Sequence, residues 1–201
     1  MKVCKVCKSE LSEDAFRQGR RECRKCEYAK DKRTYATRKV HIDKLRAIVH
    51  DILTNSKCKI CGESDIRTLD FHHRDPGEKR YPISQMKNLT VSFSSLREEI
   101  AKCDVLCANC HALETWDMGT IPEHVAKQRS TVDNYISDNG PCTLCGEARR
   151  GVLSFHHREP NEKVASVSAL MRRHSSKAKL IEEMDKCDIL CHNCHRKVHT
   201  K

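Results

Sequence analysis

The 201 residues are enough for one large domain or for two to three small ones. Hydrophobic residues make up 38% and aromatic residues 4%, too few for one large apolar core, and 38 Lys+Arg against 28 Asp+Glu leave a net charge of +10. No apolar run reaches the roughly 18 residues of a membrane span, and no apolar stretch follows Met1-Lys2-Val3-Cys4, so a membrane protein is excluded and a secreted one is not expected.

The 14 cysteines and 12 histidines are the unusual numbers. Twelve cysteines fall in Cys-x-x-Cys pairs: Cys4/Cys7, Cys23/Cys26, Cys58/Cys61, Cys107/Cys110, Cys142/Cys145 and Cys191/Cys194. Each pair aims two thiolates at one point, and two pairs complete a tetrahedral four-sulfur zinc site. Six pairs predict three structural Zn2+ sites. Disulfides or redox chemistry would not repeat the spacing six times, and the expected compartment, the cytoplasm, keeps thiols reduced. Cys103 and Cys187 are left over and read as small core residues. The expected fold class is therefore small α+β zinc-stabilised modules.

Along the chain, residues 1–27 form the first module, a zinc knuckle or ribbon with Leu11, Phe16 and Gly19 between its cysteine pairs. Residues 28–56 follow as a long basic helix. Ile42, Leu45, Val49, Ile52 and Leu53 recur at helical spacing, and Lys30, Lys32, Arg33, Arg38, Lys39, Lys44 and Arg46 decorate it. That helix is either a solvated spacer or a surface lying along phosphates.

From Cys58 the chain repeats. Adding 84 to each number between 58 and 114 gives 25 identities in 57 positions without a gap. The predicted modules are 57–118 and 141–201, joined by a linker and lead-in helix over 119–140 that contains Gly119 and Pro122. Each copy opens on Cys-x-x-Cys-Gly-Glu. A short strand ending in paired histidines follows, Leu69-Asp70-Phe71-His72-His73 or Leu153-Ser154-Phe155-His156-His157. Adjacent strand residues face opposite sides, so the two histidines of a pair have different tasks. Ser95-Leu96-Arg97-Glu98 has the pattern of a capping box and predicts a short helix ending near Lys102. Each copy closes on Leu-Cys-x-Asn-Cys-His. The second adds His199, which shares a helix face with His195.

This order of motifs resembles the HNH endonucleases of the ββα-metal (His-Me finger) superfamily, in the version clamped by a four-cysteine zinc. The resemblance covers both repeats. The N-terminal segment more loosely resembles small zinc modules that precede HNH domains in phage-encoded proteins, which would place the chain in a bacterial host's cytoplasm. The resemblance implies two tandem ββα-metal domains acting on double-stranded DNA, as nicking units or as an internal pseudo-dimer within a monomer. It implies that His157 and His73 are general bases. His156, His195 and His199, with His72 and His111 in the first copy, would hold a catalytic divalent cation: Mg2+, Mn2+, Ni2+ or Zn2+. The chemistry is suitable, because phosphodiester hydrolysis needs a base that titrates near neutrality and a cation facing the developing charge.

Two positions depart from the family. Thr115 stands where His199 stands in the second copy, and Lys102 and Lys186 occupy the place of an asparagine that steadies the base. A backbone carbonyl is then the expected support for the base histidines. Asp70, Ser154, Asp75 and Glu159 are read as lying outside the ligand set, and Lys79, Arg80 and Lys163 as candidate phosphate contacts. The alternative function is a non-catalytic zinc protein that binds DNA through decayed nuclease modules. An RNA nuclease ranks lower, because the chain has only Trp116, four tyrosines and four phenylalanines to stack on bases.

Overall fold

A computed structural model describes residues 1–115, 123–173 and 175–200. Its architecture is small α+β, with three two-stranded antiparallel sheets. Gly119 and Pro122 of the expected linker, and Trp116, lie outside the described residues.

The chain separates into two compact units: residues 1–51 with 79–100, and residues 52–78 with 101–201. The middle of the first repeat belongs with the N-terminal module, and its remainder belongs with the second repeat.

In the first unit, β1 (Lys2–Val3) pairs with β2 (Glu10–Leu11) above a small core of Cys4, Phe16 and Cys23. Helix α1 then runs from Arg24 to Thr54, close to the predicted span. Every residue from 28 to 40 is exposed, whereas Leu45 and Val49 are buried. Helices α2 (Ile83–Met86) and α3 (Phe93–Ile100) belong to the same unit. Arg46 on α1 donates to Asn88 Oδ1 at 2.8 and 3.0 Å, and the His41 ring lies against Phe93 with its Nε2 2.7 Å from the Val91 carbonyl. The predicted helix start is displaced. Ser92, not Ser95, caps α3, its hydroxyl accepting from Ser95 N, and Ser95 lies inside the helix.

The second unit carries two ββα elements. In the first, β3 (Leu69–His73) pairs with β4 (Cys103–Cys107), with His72 opposite Asp104, and leads into α4 (Ala108–Thr115). Helix α5 (Glu123–Asn139) is the lead-in helix expected before the second cysteine pair; it ends three residues short of Cys142, much as α1 ends four short of Cys58. In the second element, β5 (Leu153–His157) precedes α6 (Val167–Arg172) and α7 (Lys177–Asp185). It pairs with β6 (Cys187–Cys191), which runs into α8 (His192–His199). Val167, Leu170, Leu180 and Met184 form the core under α5, joined by Val132, Tyr135 and Phe155.

The two ββα elements meet about a local pseudo-twofold axis. Asn193 Oδ1 accepts from the Asn109 backbone N–H at 3.1 Å, and Asn109 Oδ1 accepts from Asn193 N–H at 3.0 Å. Each asparagine thus satisfies an N–H that the other's helix leaves open in its first turn. Helix α4 packs on the 3-10 turn Arg150–Val152, and α8 on the matching turn Ile66–Thr68. Leu113 joins the apolar cluster around Cys142 and Val152, whereas its twin Lys197 binds Glu63 at 2.9 Å on the other side.

Candidate metal centre

The three predicted cysteine sets assemble as expected: Cys4, Cys7, Cys23, Cys26; Cys58, Cys61, Cys107, Cys110; and Cys142, Cys145, Cys191, Cys194. Each group is close enough to hold zinc. Sulfur–sulfur distances of 4.0 Å (Cys7–Cys23), 3.6 Å (Cys61–Cys107) and 3.7 Å (Cys145–Cys191) match the edge of about 3.8 Å that a tetrahedron with 2.3 Å metal–sulfur bonds requires. A disulfide would need about 2 Å, and none of the fourteen cysteines forms one.

The local chain makes the same turn each time. The residue after the second cysteine of the opening pair has positive φ: Lys8 at 60°, Gly62 at 78° and Gly146 at 74°. Its N–H bonds back to the first cysteine's carbonyl in all three turns. Two of the three use glycine, which takes the left-handed conformation without steric cost. Thiol acidities are split within each group. The Cys23 N–H leads the bonds that pull Cys4 down to about 6. Burial opposes ionisation of Cys58 and Cys142, but N–H donors of the knuckles hold them at about 6 and about 7. Cys26 is pushed up to about 12, chiefly by Cys23 beside it. Thiolates crowded in this way share few negative charges without a cation. Cys103 and Cys187 belong to none of the groups. Cys187 is buried, which pushes its thiol up to about 11, and donates to the Glu183 carbonyl at 3.3 Å.

The histidines come together on the other face of the second ββα element. His156 on β5 and His195 and His199 on α8 offer ligand nitrogens that all lie within 4.8 Å of one another. Their ring centroids are 4.9–5.1 Å apart. The strand alternation and the i, i+4 helix spacing both place side chains as the sequence predicts. Burial, then the neighbouring His199 and His156 rings, pushes His195 down to about 4, and burial also lowers His156. Both shifts favour the neutral ring, the form that offers a lone pair to a cation.

Ser154 fixes the orientation of His195. Its hydroxyl bonds the Leu190 carbonyl at 3.1 Å and lies 3.0 Å from His195 Nδ1. With its own hydrogen given to Leu190, Ser154 accepts from Nδ1–H, which leaves Nε2 for a cation. Ser154 is not itself in the histidine cluster, but it orients one member of it. Its twin Asp70 has Oδ2 3.5 Å from His111 Nδ1.

His157 points to the opposite face and is nearly buried. Its Nε2 lies 2.8 Å from Glu183 Oε1 on α7, so the support is a carboxylate rather than the expected backbone carbonyl. Glu183 also accepts from Val164 N, Ala165 N and Lys186 Nζ. Burial would raise its carboxyl, but Lys186, His157 and the two N–H groups hold it at about 2. Lys186 thus meets Glu183 from the other side, its Nζ 3.0 Å from Oε2. Asn109 and Asn193 take no part here, because their side chains bind each other's helices. The sequence did hold a signal for Glu183: it and Glu99 are identical at the 84-residue offset, and both are buried.

His156 and His157 leave opposite faces of β5, which among the described residues pairs with β6, and both reach one groove. This groove of about 680 Å³ is lined by His156, His157, His195, His199, Lys163 and Met171, among others. Of the candidate phosphate contacts, Lys163 lines the groove. Arg158, beside it, is committed to the hairpin, bonding the carbonyls of Cys187 and Asp185 and the Asp188 carboxylate. Asp75 shapes a turn by accepting from Gly77 N at 2.7 Å.

The first ββα element is less complete. The His72 and His111 rings are 4.9 Å apart. Thr115 turns its hydroxyl onto its own helix, 3.1 Å from the His111 carbonyl, and no cluster of three ligands forms there among the described residues. His73 is buried.

Compared with protein-family models, curated proteins and solved structures, the chain has no match.

Proposed function

We propose that this chain is a metal-dependent DNA endonuclease that hydrolyses phosphodiester bonds at the second ββα element, with zinc in its three four-cysteine groups as structural staples. The observation that supports this most is the convergence of His156, His195 and His199 on one groove with His157, whose ring meets a buried carboxylate. Three imidazoles suit a divalent transition ion with positions left for substrate, whereas four thiolates leave none. A divalent cation at the three histidines would supply charge neutralisation at the phosphate.

The chain's own residues would do the rest. Glu183 accepts from His157 Nε2–H, which leaves Nδ1 to take a proton from water, and the carboxylate then stabilises the imidazolium. Lys163 brings a positive charge to the groove. The all-round exposed stretch of α1 carries Lys30, Lys32, Arg33, Arg38 and Lys39 against a single acid, Asp31, which suits a polyanion such as double-stranded DNA. The first element has fewer ligands and would cut more slowly.

The test is conversion of supercoiled plasmid in Mg2+, Mn2+, Ni2+ or Zn2+ and in EDTA. Cation-dependent nicking that is lost in His156→Ala and His157→Ala is expected. DNA binding without cleavage under every cation would leave a zinc-stabilised DNA-binding protein and overturn the enzyme.

A further inference from the structure

The two histidine sites differ in a paired way. In the second element, the residue behind the helix histidine is the neutral Ser154, and the position corresponding to Arg196 is Ala112, on the first element's helix. In the first element, the residue behind His111 is Asp70, and it is met by Arg196 from the other repeat. Arg196 Nη2 donates to Asp70 Oδ2 at 2.6 Å, and Nη1 lies 3.4 Å from the Thr68 carbonyl. Where the repeat has serine it lacks the opposing arginine, and where it has aspartate the arginine is supplied across the pseudo-twofold axis.

A carboxylate behind an imidazole fixes the tautomer, turns Nε2 outward and makes it a stronger donor to a cation. That support matters most where the third ligand is missing, as at Thr115. The Asp70 side chain is about one-third exposed and needs something to hold it toward His111. A guanidinium fork tied at a second point, the Thr68 carbonyl, holds it in one rotamer. His111, Arg196, His195 and His199 also line one cleft of about 400 Å³ between α4 and α8, so the two sites face a common space.

We propose that Arg196 of the second repeat is a positioning residue for a divalent-cation site in the first, pinning Asp70 so that Asp70 orients His111 beside His72. The proposal rests on the view that these imidazole clusters hold cations, and it makes the first site dependent on α8 of its neighbour. The site would take a borderline divalent ion, with solvent completing the coordination.

The test uses the full chain with its cysteine groups zinc-loaded and Co2+ as the probe, in a His156→Ala/His199→Ala background that removes the second cluster. One residual Co2+ site is expected. Arg196→Ala should weaken it about 10–100-fold and Arg196→Lys should restore part of the loss, in line with the usual effect of groups that support a ligand. In an Asp70→Ser background, Arg196→Ala should have no further effect. An arginine that merely braces the fold would weaken binding equally with or without Asp70, and that result overturns the proposal. Absence of any Co2+ site in the Arg196-containing background also overturns it, while cleavage of plasmid by the unsubstituted chain judges the proposed function separately. If Co2+ binds as expected but no plasmid is cut, the nuclease function fails and the cation site stands.

Discussion

Replacing Asn109 with alanine tests whether the two ββα elements form one cooperative body. The side chain's Oδ1 is the acceptor for the buried Asn193 N–H at 3.0 Å, and both asparagines are buried. Its loss strands that donor in the first turn of α8, at a cost of about 1–3 kcal/mol. The reciprocal bond, from Asn109 N–H to Asn193, survives because it uses the backbone of residue 109. We therefore expect a loss near 2 kcal/mol, comparable with the larger losses seen when a helix cap is removed. With a urea slope of about 2 kcal/mol/M, the midpoint of the zinc-loaded protein should fall by about 1 M. Asn109→Asp, which keeps an acceptor, should cost less. The assay is urea denaturation followed by circular dichroism together with a probe in each repeat. A shift below about 0.3 M, or separate transitions for the two repeats in the parent, would refute the interlocked pseudo-twofold arrangement.

Other changes probe the site and its staples. Glu183→Gln removes the charge that His157 and Lys186 share and should lower cleavage about 10–100-fold, as expected for a group that supports a catalytic residue, with Co2+ binding at His156, His195 and His199 unchanged. Equal loss of Co2+ affinity would place Glu183 in the fold rather than behind the base. Ser154→Ala frees His195 Nδ1 and should weaken that Co2+ site by up to about 10-fold without moving the first-repeat site, read by titration with each cluster deleted in turn. Stripping zinc with a strong chelator should abolish the circular dichroism of both ββα elements together, since binding at a structural zinc site is worth about 10–16 kcal/mol. Retention of native dichroism without metal would show that the cysteine groups are not staples. Metal analysis of the untreated protein should give three tightly held zinc ions per chain, falling by one in Cys107→Ser if that variant stays folded.

Much of this site could be read along the chain. Repeated spacing located all three cysteine groups, and period-two alternation put His156 and His157 on opposite faces, which the Glu183 bond to one and the α8 histidines beside the other bear out. Helical spacing brought His195 and His199 together and set α1 within a few residues of its ends. These features are local: they follow from φ/ψ geometry and from the fixed repeat of helix and strand, which any stretch of sequence carries within itself.

The rest came from contacts between residues distant in sequence. Glu183 reaches His157 across 26 residues, and Asn109 meets Asn193 across 84. The approach of Asp70 to His111 and of Ser154 to His195 also depends on the fold, since a polar strand residue can face either way until its hairpin packs on a helix. The separation of residues 79–100 from the rest of their repeat was invisible as well, because a gapless duplication reports common ancestry of segments and not which neighbours each segment buries against. Burial is shared among whichever apolar faces meet, and α1 and α5 offer different ones, so identical positions in the two copies end in different surroundings. Sequence by itself determined which cysteines and histidines gather and the faces they occupy; only tertiary packing decided what holds each imidazole in place, because that support is a pairwise contact rather than a periodicity.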